Sequence, residues 1–222
     1  MAIYKIGNKL LSNGAGKMFG FPDPEPPPQG VEIGGRFYKT VTIGNKEWLA
    51  ENLDYKFCNI GGPIGSTANA WYYDDDETTY GIDGLKKCGL LYNWVAVKYL
   101  EDNKNTLLPE GWRVPTYDDL YNFYSITNYN AKKLKAKNNS ILENWPSNWN
   151  GTDEFGFCML PTGSCDQYKN FTEIGTKGYL WSITQGSEIY YAQIIYFDSN
   201  NVIEHCPCDK WKPLSLRLVK DL

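Results

Sequence analysis

Residues 178–220 read GYLWSITQGSEIYYAQIIYFDSNNVIEHCPCDKWKPLSLRLVK, and the reading of this stretch decides the fold. Gly178-Tyr-Leu-Trp-Ser182 and Ser215-Leu-Arg-Leu-Val219 have the look of short buried framework strands. Between them stand tyrosines, a lone His205, Cys206-Pro-Cys208, Asp209 and Trp211, a mixture without catalytic logic. Ile189 to Phe197 alternates as a strand. Its pleat puts Tyr190, Ala192, Ile194 and Tyr196 on one face and Tyr191, Gln193, Ile195 and Phe197 on the other.

Outward from that stretch, the chain of 222 residues is long enough for a substantial core. Seventeen Tyr, eight Trp and 21 Gly suit a loop-rich, β-containing domain better than a helical bundle. A net charge of −4 argues against nucleic-acid binding, which needs a basic face to neutralise phosphates. Lys132–Lys137 is the nearest basic run, and it reads as a solvated turn or helix face. No apolar run approaches the roughly 20 residues of a membrane span. Residues 1–21 lack the apolar core of a signal peptide, so either the chain is not exported by that route, and reaches a virion or bacterial surface only through a carrier or stays in the cytoplasm, or a leader was removed. With no export signal, the six cysteines are expected as free thiols.

Residues 1–21 form an arm suited to attachment to a carrier protein, and 22–30 form a linker. Five prolines in Pro22-Asp-Pro-Glu-Pro-Pro-Pro28 fix φ and remove donors, which makes a stiff extended spacer. The globular domain is expected over 31–222. Phe37–Ile43 and Glu47–Leu53 read as paired strands across Gly44-Asn45. Asp74–Glu77 reads as a solvated acidic loop rather than a calcium loop, because EF-hand spacing is absent. Cys88–Val97 is the most apolar segment and should be core. Pro115–Tyr124 is the clearest helix: Thr116 can cap it, Asp119 completes a capping box, and Leu120, Phe123 and Tyr124 share a face. Asn138–Asp153 reads as a long loop, and Phe155–Pro161 as a strand entering a turn.

Seven blocks occur in a characteristic order: Val41–Leu53, Gly89–Trp94, Pro109–Thr116, Lys133–Lys135, Gly151–Phe157 with Leu160-Pro161, Gly178–Ser182, and Ser215–Asp221. Together they resemble the Fibrobacter succinogenes major paralogous domain of Bacteroidetes, over roughly Val31 to Asp221. Its blocks are also similar to those of formylglycine-generating-enzyme-like proteins. The resemblance implies an α+β, C-type lectin-like domain with short antiparallel strands, one or two helices and long irregular loops. Where many members carry two further cysteines, this chain has Leu108 and Leu218. In relatives diversified by retroelements, variable positions lie between framework residues matching Trp181-Ser182 and Ser215–Arg217. Ala192 and Ile194 match core positions of the family, so the opposite face of their strand is expected outward.

The expected contact surface therefore comprises Ser182, Tyr191, Gln193, Ile195, Phe197, His205, Cys206, Pro207, Cys208, Asp209 and Trp211. Exposed aromatic sets mark interaction sites. The implied ligand is a protein or glycan on a target-cell surface, and the implied setting is a phage tail or mobile element. The alternative is a bacterial surface paralogue of structural or carbohydrate-binding role. An enzyme is not expected: any Ser-His-Asp or Cys-His site must use His205, which lies in a stretch without a Gly-rich elbow. A formylglycine-generating cysteine pair is disfavoured by the one-residue spacing of Cys206 and Cys208. A zinc or copper site at His205–Cys208 lacks a second ligand pair. No metal or cofactor is expected, and the calcium-dependent sugar motifs of C-type lectins are absent from this region.

Overall fold

The computed structural model describes residues 29–73, 88–137 and 149–222. In chain order, β1 (Gly30–Ile33), β2 (Arg36–Ile43), β3 (Lys46–Leu49), β4 (Asn59–Ile60), β5 (Asn69–Trp71) and β6 (Leu91–Tyr92) precede α1 (Trp94–Asp102) and the one-turn α2 (Lys104–Leu107). After β7 (Trp112–Arg113), α3 (Tyr117–Ile126) and a 3-10 turn (Ala131–Lys133) come β8 (Thr162–Cys165), β9 (Phe171–Ile174), β10 (Lys177–Gln185), β11 (Tyr191–Asp198), β12 (Ile203–Asp209) and β13 (Val219–Asp221).

This architecture corrects the expectation of an α+β C-type lectin-like domain. Strands dominate, divided among four sheets, and the described residues hold only three α-helices, one of a single turn. The cause is local. Helical periodicity is confined to the stretches that form α1 and α3, while β-branched and aromatic alternation broken by glycine turns fills much of the remainder. The arm 1–21, the prolines of the linker, Asp74–Glu77 and 138–148 of the Asn-rich loop lie outside the described residues. Gly30, expected in the linker, already pairs with Lys39 in β1.

The five-stranded sheet runs β1-β2-β3-β13-β7. Its hairpin turns at Gly44, whose φ of +66° suits glycine, and its register pairs Val41 with Trp48. Val219 then pairs with Trp48 on one side and Arg113 on the other, so the C-terminus closes the sheet. The expected strand Ser215–Val219 is regular only from Val219. Before it, Ser215 makes one bridge to Leu180, and the carbonyls of Leu216 and Leu218 accept from the amides of Leu53 and Leu49. Phe155–Pro161 is likewise not a strand: only Met159 bridges, to Lys135.

The three-stranded sheet β10-β11-β12 divides two cores. Ala192 and Ile194 face a cluster with Trp94, Leu100, Trp181 and Leu216. Ile195 and Phe197 face a second cluster with Trp48, Leu120, Phe123 and Met159. Both are fully buried, which corrects their assignment to an outward face. A central strand covered on both sides carries apolar residues on both sides, so alternation alone cannot choose an outside. Ser182 is also buried: its hydroxyl donates to the Gln193 carbonyl at 2.8 Å, and its own carbonyl accepts from the Trp94 indole at 3.0 Å. It is framework, not contact surface.

The expected helix and cap are present in α3. The Thr116 hydroxyl accepts from the Asp119 amide at 3.1 Å, and the Asp119 carboxylate accepts from the Thr116 amide at 2.7 Å. Asp119 also takes a bidentate pair from Arg113, and Lys46 at 3.1 Å. Cys88–Val97 is buried as expected, apart from the half-exposed Val95. Lys135 overturns the solvated reading of its run. It is fully buried, donates to the Asp198 carbonyl (2.8 Å) and Asn201 Oδ1 (3.0 Å), and lies 4.1 Å over the Trp149 ring. Burial lowers its pKa to about 8, and its contacts pin the turn between β11 and β12.

Candidate functional site

Strand β12 is an edge, paired only with β11, and its pleat sorts the expected contact residues. Tyr191, Gln193, His205, Pro207 and Asp209 fall on one face, with Ile195 and Phe197 sealed beneath α3 at its far end. Cys206 and Cys208 fall on the other and pack against the first core cluster. The imidazole and the two thiols that stand side by side in the sequence are therefore on opposite sides of the sheet. Burial raises the Cys208 thiol to about 12 and pushes Cys206 up as well, so neither is a ready thiolate. Among the described residues no cluster of three or more His, Cys, Asp or Glu side chains has a metal-holding arrangement. Pro207 has no N–H to offer, and the Asp198-to-Val202 bond places its nitrogen on the open edge, where that lack costs nothing.

His205 lies under a helix rather than on the contact surface. Its ring is 5.1 Å from Tyr117, 5.7 Å from Tyr121 and 6.3 Å from Tyr124, and neither ring nitrogen has a hydrogen-bond partner among the described residues. Burial holds its pKa below the usual histidine value, so the neutral ring belongs to the fold. A group whose folded pKa is depressed contributes stability above its unfolded pKa of about 6.5, and loses it as pH falls through the folded value. Unfolding free energy is accordingly expected to fall between pH 7 and pH 5, by at most about 1.4 kcal/mol per pH unit from this one proton. Urea titrations across that range test it: in His205→Phe the decline should shrink, and an unchanged slope would refute the assignment.

At the opposite end of the sheet the exposed residues converge. Asp209, the last residue of β12, and Trp211 and Lys212 just after it meet Asp166, Gln167 and Tyr168, from the β8–β9 hairpin loop, around a cleft of about 330 Å³ closed by Ile64 and Cys165. Both loops are braced from within. Asp166 Oδ1 accepts from the amides of Tyr168 (2.8 Å) and Asn170 (2.9 Å), and Asp209 Oδ1 accepts from the Trp211 amide (2.9 Å). The Asn170 side-chain amide, with the backbone amides of Asn170 and Tyr168, holds the Asp166 carboxyl below its usual range.

Two exposed aromatics line the cleft, Tyr168 (76% exposed) and Trp211 (41%), and the exposed Ile189 and Tyr190 lie on the loop beside Trp211. Tyr190 and Trp211 approach edge to face at 6.3 Å. Lys210 ties the segment after β12 to the β10–β11 loop by donating to the Ile189 carbonyl at 2.7 Å while lying 4.3 Å over the Trp94 ring. The Gln167 amide and the Tyr168 hydroxyl make no hydrogen bond among the described residues, so they are available to a ligand.

Of the expected contact residues, the structure brings Tyr191, Asp209 and Trp211 to this end, with Gln193 and Pro207 on its approach. It places Ser182, Ile195, Phe197, His205, Cys206 and Cys208 in or against the cores. Sequence reasoning missed Asp166, Gln167 and Tyr168, although an aromatic in a polar turn between two strands was a usable signal. It also placed Tyr190 on the supporting face, whereas that residue lies just before β11 and projects outward.

The model of the Fibrobacter succinogenes major domain matches residues 41–220 of the chain. No curated protein and no solved structure matches it.

Proposed function

Because the chain belongs to the Fibrobacter succinogenes major domain family, and because the exposed Tyr168 and Trp211 line one cleft with Tyr190 edge-on beside Trp211, we propose that it is a ligand-binding module and not an enzyme. The observation that carries the reading is that aromatic set. Tyr168, Tyr190 and Trp211 offer large, stiff, amphipathic contact area at low entropic cost, and Asp209, Gln167 and Lys212 stand beside them to fix a ligand's orientation. A protein or glycan displayed on a target surface is the ligand class that such a shallow, mixed cleft suits. The lone histidine, held neutral among three tyrosines, supports a role outside catalysis.

The finer form of the proposal is a receptor-binding protein of a phage tail or mobile element, diversified by a retroelement within about 182–212. Burial narrows where such variation is tolerable: 186–191 and 209–212 are solvent-facing, whereas Ser182, Ile195 and Phe197 are not. A near-copy of this segment's coding sequence, differing at adenines beside a reverse transcriptase, would support diversification. Its absence from the neighbouring DNA would remove that part of the proposal.

The contact surface is tested with Tyr168→Ala combined with Trp211→Ala. Both side chains are exposed, so the melting temperature should stay within about 2 °C of the parent. Retention of the labelled full chain on an array of immobilised glycans and on intact bacterial cells should fall at least tenfold relative to the parent. Unfolding of the variant, or retention equal to the parent's, would reject the cleft as the binding site.

A further inference from the structure

Away from the cleft, Lys135 meets the turn that joins β11 to β12. Its side chain is fully buried, yet neutral groups hold its ammonium. Nζ donates to the Asp198 backbone carbonyl at 2.8 Å and to Asn201 Oδ1 at 3.0 Å, and it lies 4.1 Å over the Trp149 ring. Such a position is costly for a cation, because two dipoles and a ring replace only part of the hydration it gave up.

Both partners are fixed in place. On the lysine's side, the Lys135 backbone bridges to Met159, and the Trp149 indole donates to the Met159 carbonyl at 2.9 Å, which holds the ring over Nζ. Gly151 passes so close that an added Cβ would stand 1.9 Å from the Lys135 carbonyl oxygen. On the side of the turn, the Asp198 amide donates to the Val202 carbonyl at 3.0 Å, and Asp198 Oδ1 accepts from the Val202 amide at 2.8 Å. Asn201 has a φ of +66°, which asparagine tolerates better than most residues, and from there its side chain reaches Lys135.

We propose that Lys135 and Asn201 are joined by an intramolecular isopeptide bond, which the folded chain forms on itself. A lysine enclosed in apolar surroundings is an activated nucleophile, since burial favours the free amine, and here burial brings the pKa down to about 8. Fixed contact between amine and amide replaces the chance encounter that makes this reaction negligible between free side chains. Two further charges act on the ammonium: the Asp198 carboxylate and, with the opposite effect, Lys132. Asp198 takes one proton from the ammonium. The amine lone pair then forms a bond to Asn201 Cγ, and the Cγ–Nδ2 bond breaks. The two protons shed by Nζ pass to Nδ2, which leaves as ammonium. The product is a neutral amide, so the buried charge is gone. The two residues lie 66 positions apart, so the link also closes a long loop and restricts the unfolded chain. It fastens the hairpin that carries the edge strand β12, the strand of its sheet most open to local unfolding together with β10.

Mass spectrometry of the full chain, unfolded in urea, tests the proposal. The mass should fall below that of the sequence by one ammonia. Trypsin should release peptide 134–137, uncut after Lys135, joined to peptide 178–210. Asn201→Gly, which suits the backbone there, and Lys135→Arg should each restore the full mass expected of their sequences. A parent chain of full mass with the two segments unlinked would overturn the proposal and leave Lys135 as a hydrogen-bonded pin. So would a deficit of one ammonia that persists in Lys135→Arg, the mark of an asparagine closing on its own backbone.

Discussion

Replacing Arg217 by methionine is expected to cost about 3–5 kcal/mol of folding stability, because it leaves four buried acceptors unpaired at about 1 kcal/mol each. Arg217 is fully buried, and its guanidinium serves four acceptors. Nε donates to Asn52 Oδ1 at 2.8 Å, Nη1 to the carbonyls of Phe157 and, at 3.5 Å, Leu49, and Nη2 to the Cys158 carbonyl at 2.8 Å. Its plane lies 4.2 Å from the Phe157 ring centre. Burial pulls its pKa down to about 10, so the cation is retained at neutral pH in spite of its surroundings.

Asn52 carries the network onward, donating to the Cys88 carbonyl at 2.9 Å and to the Ser215 hydroxyl at 3.2 Å, which in turn lies 2.8 Å from the Thr162 hydroxyl. Methionine fills the space but donates nothing, and the orphaned acceptors each lose a partner they cannot replace from water. Arg217→Lys keeps the charge but not the fork, and it should fall between the two. Urea midpoints at constant slope measure the effect. A loss below about 1 kcal/mol for the methionine variant would show that this network does not hold the C-terminal segment in place.

The second large effect belongs to Asp119. Asp119→Ala should cost about 2–4 kcal/mol, combining a helix cap of about 1 kcal/mol with charged hydrogen bonds of about 1.5 kcal/mol or more. The carboxylate is almost enclosed and joins the Thr116 cap to Arg113 and Lys46, both of which also reach Asp221. Burial alone would raise its pKa, but the Arg113 guanidinium, the Thr116 amide and Lys46 together hold it well below the usual carboxylate range. Its stabilisation is therefore complete above the unfolded value of about 3.9 and is lost as pH falls further toward the folded one. Measured at pH 7 and pH 3, the gap between parent and Asp119→Ala should narrow at the lower pH. An equal gap at both would show that the side chain acts only as a cap.

Local features of this chain were legible because local physics determines them. The capping box at Thr116 and Asp119, the hairpin across Gly44 and the apolar run Cys88–Val97 each depend on a few adjacent residues, and each is present. What misled was environment. Ile194 and Ile195 are neighbours buried in different cores, so the alternation of β11 says which residues share a face but not which face is wet. Resemblance carried the family across the chain but not its proportion of strand to helix.

The cleft was half legible. Asp209 and Trp211 stand in the stretch that drew notice, while Tyr168 comes from a hairpin far away in sequence and reaches them only through the folded chain. Lys135 shows the same limit in reverse, as a long cation whose run reads as solvated and which the fold encloses.

Pro207 has a consequence for how the molecule behaves in company. A sheet that ends in an unpaired strand invites neighbouring chains to add to it rung by rung. With a proline at the middle of β12, the ladder is missing a rung where an incoming strand would need one. The edge beside the Tyr168–Trp211 cleft can thus stand open to solvent while resisting fibre growth.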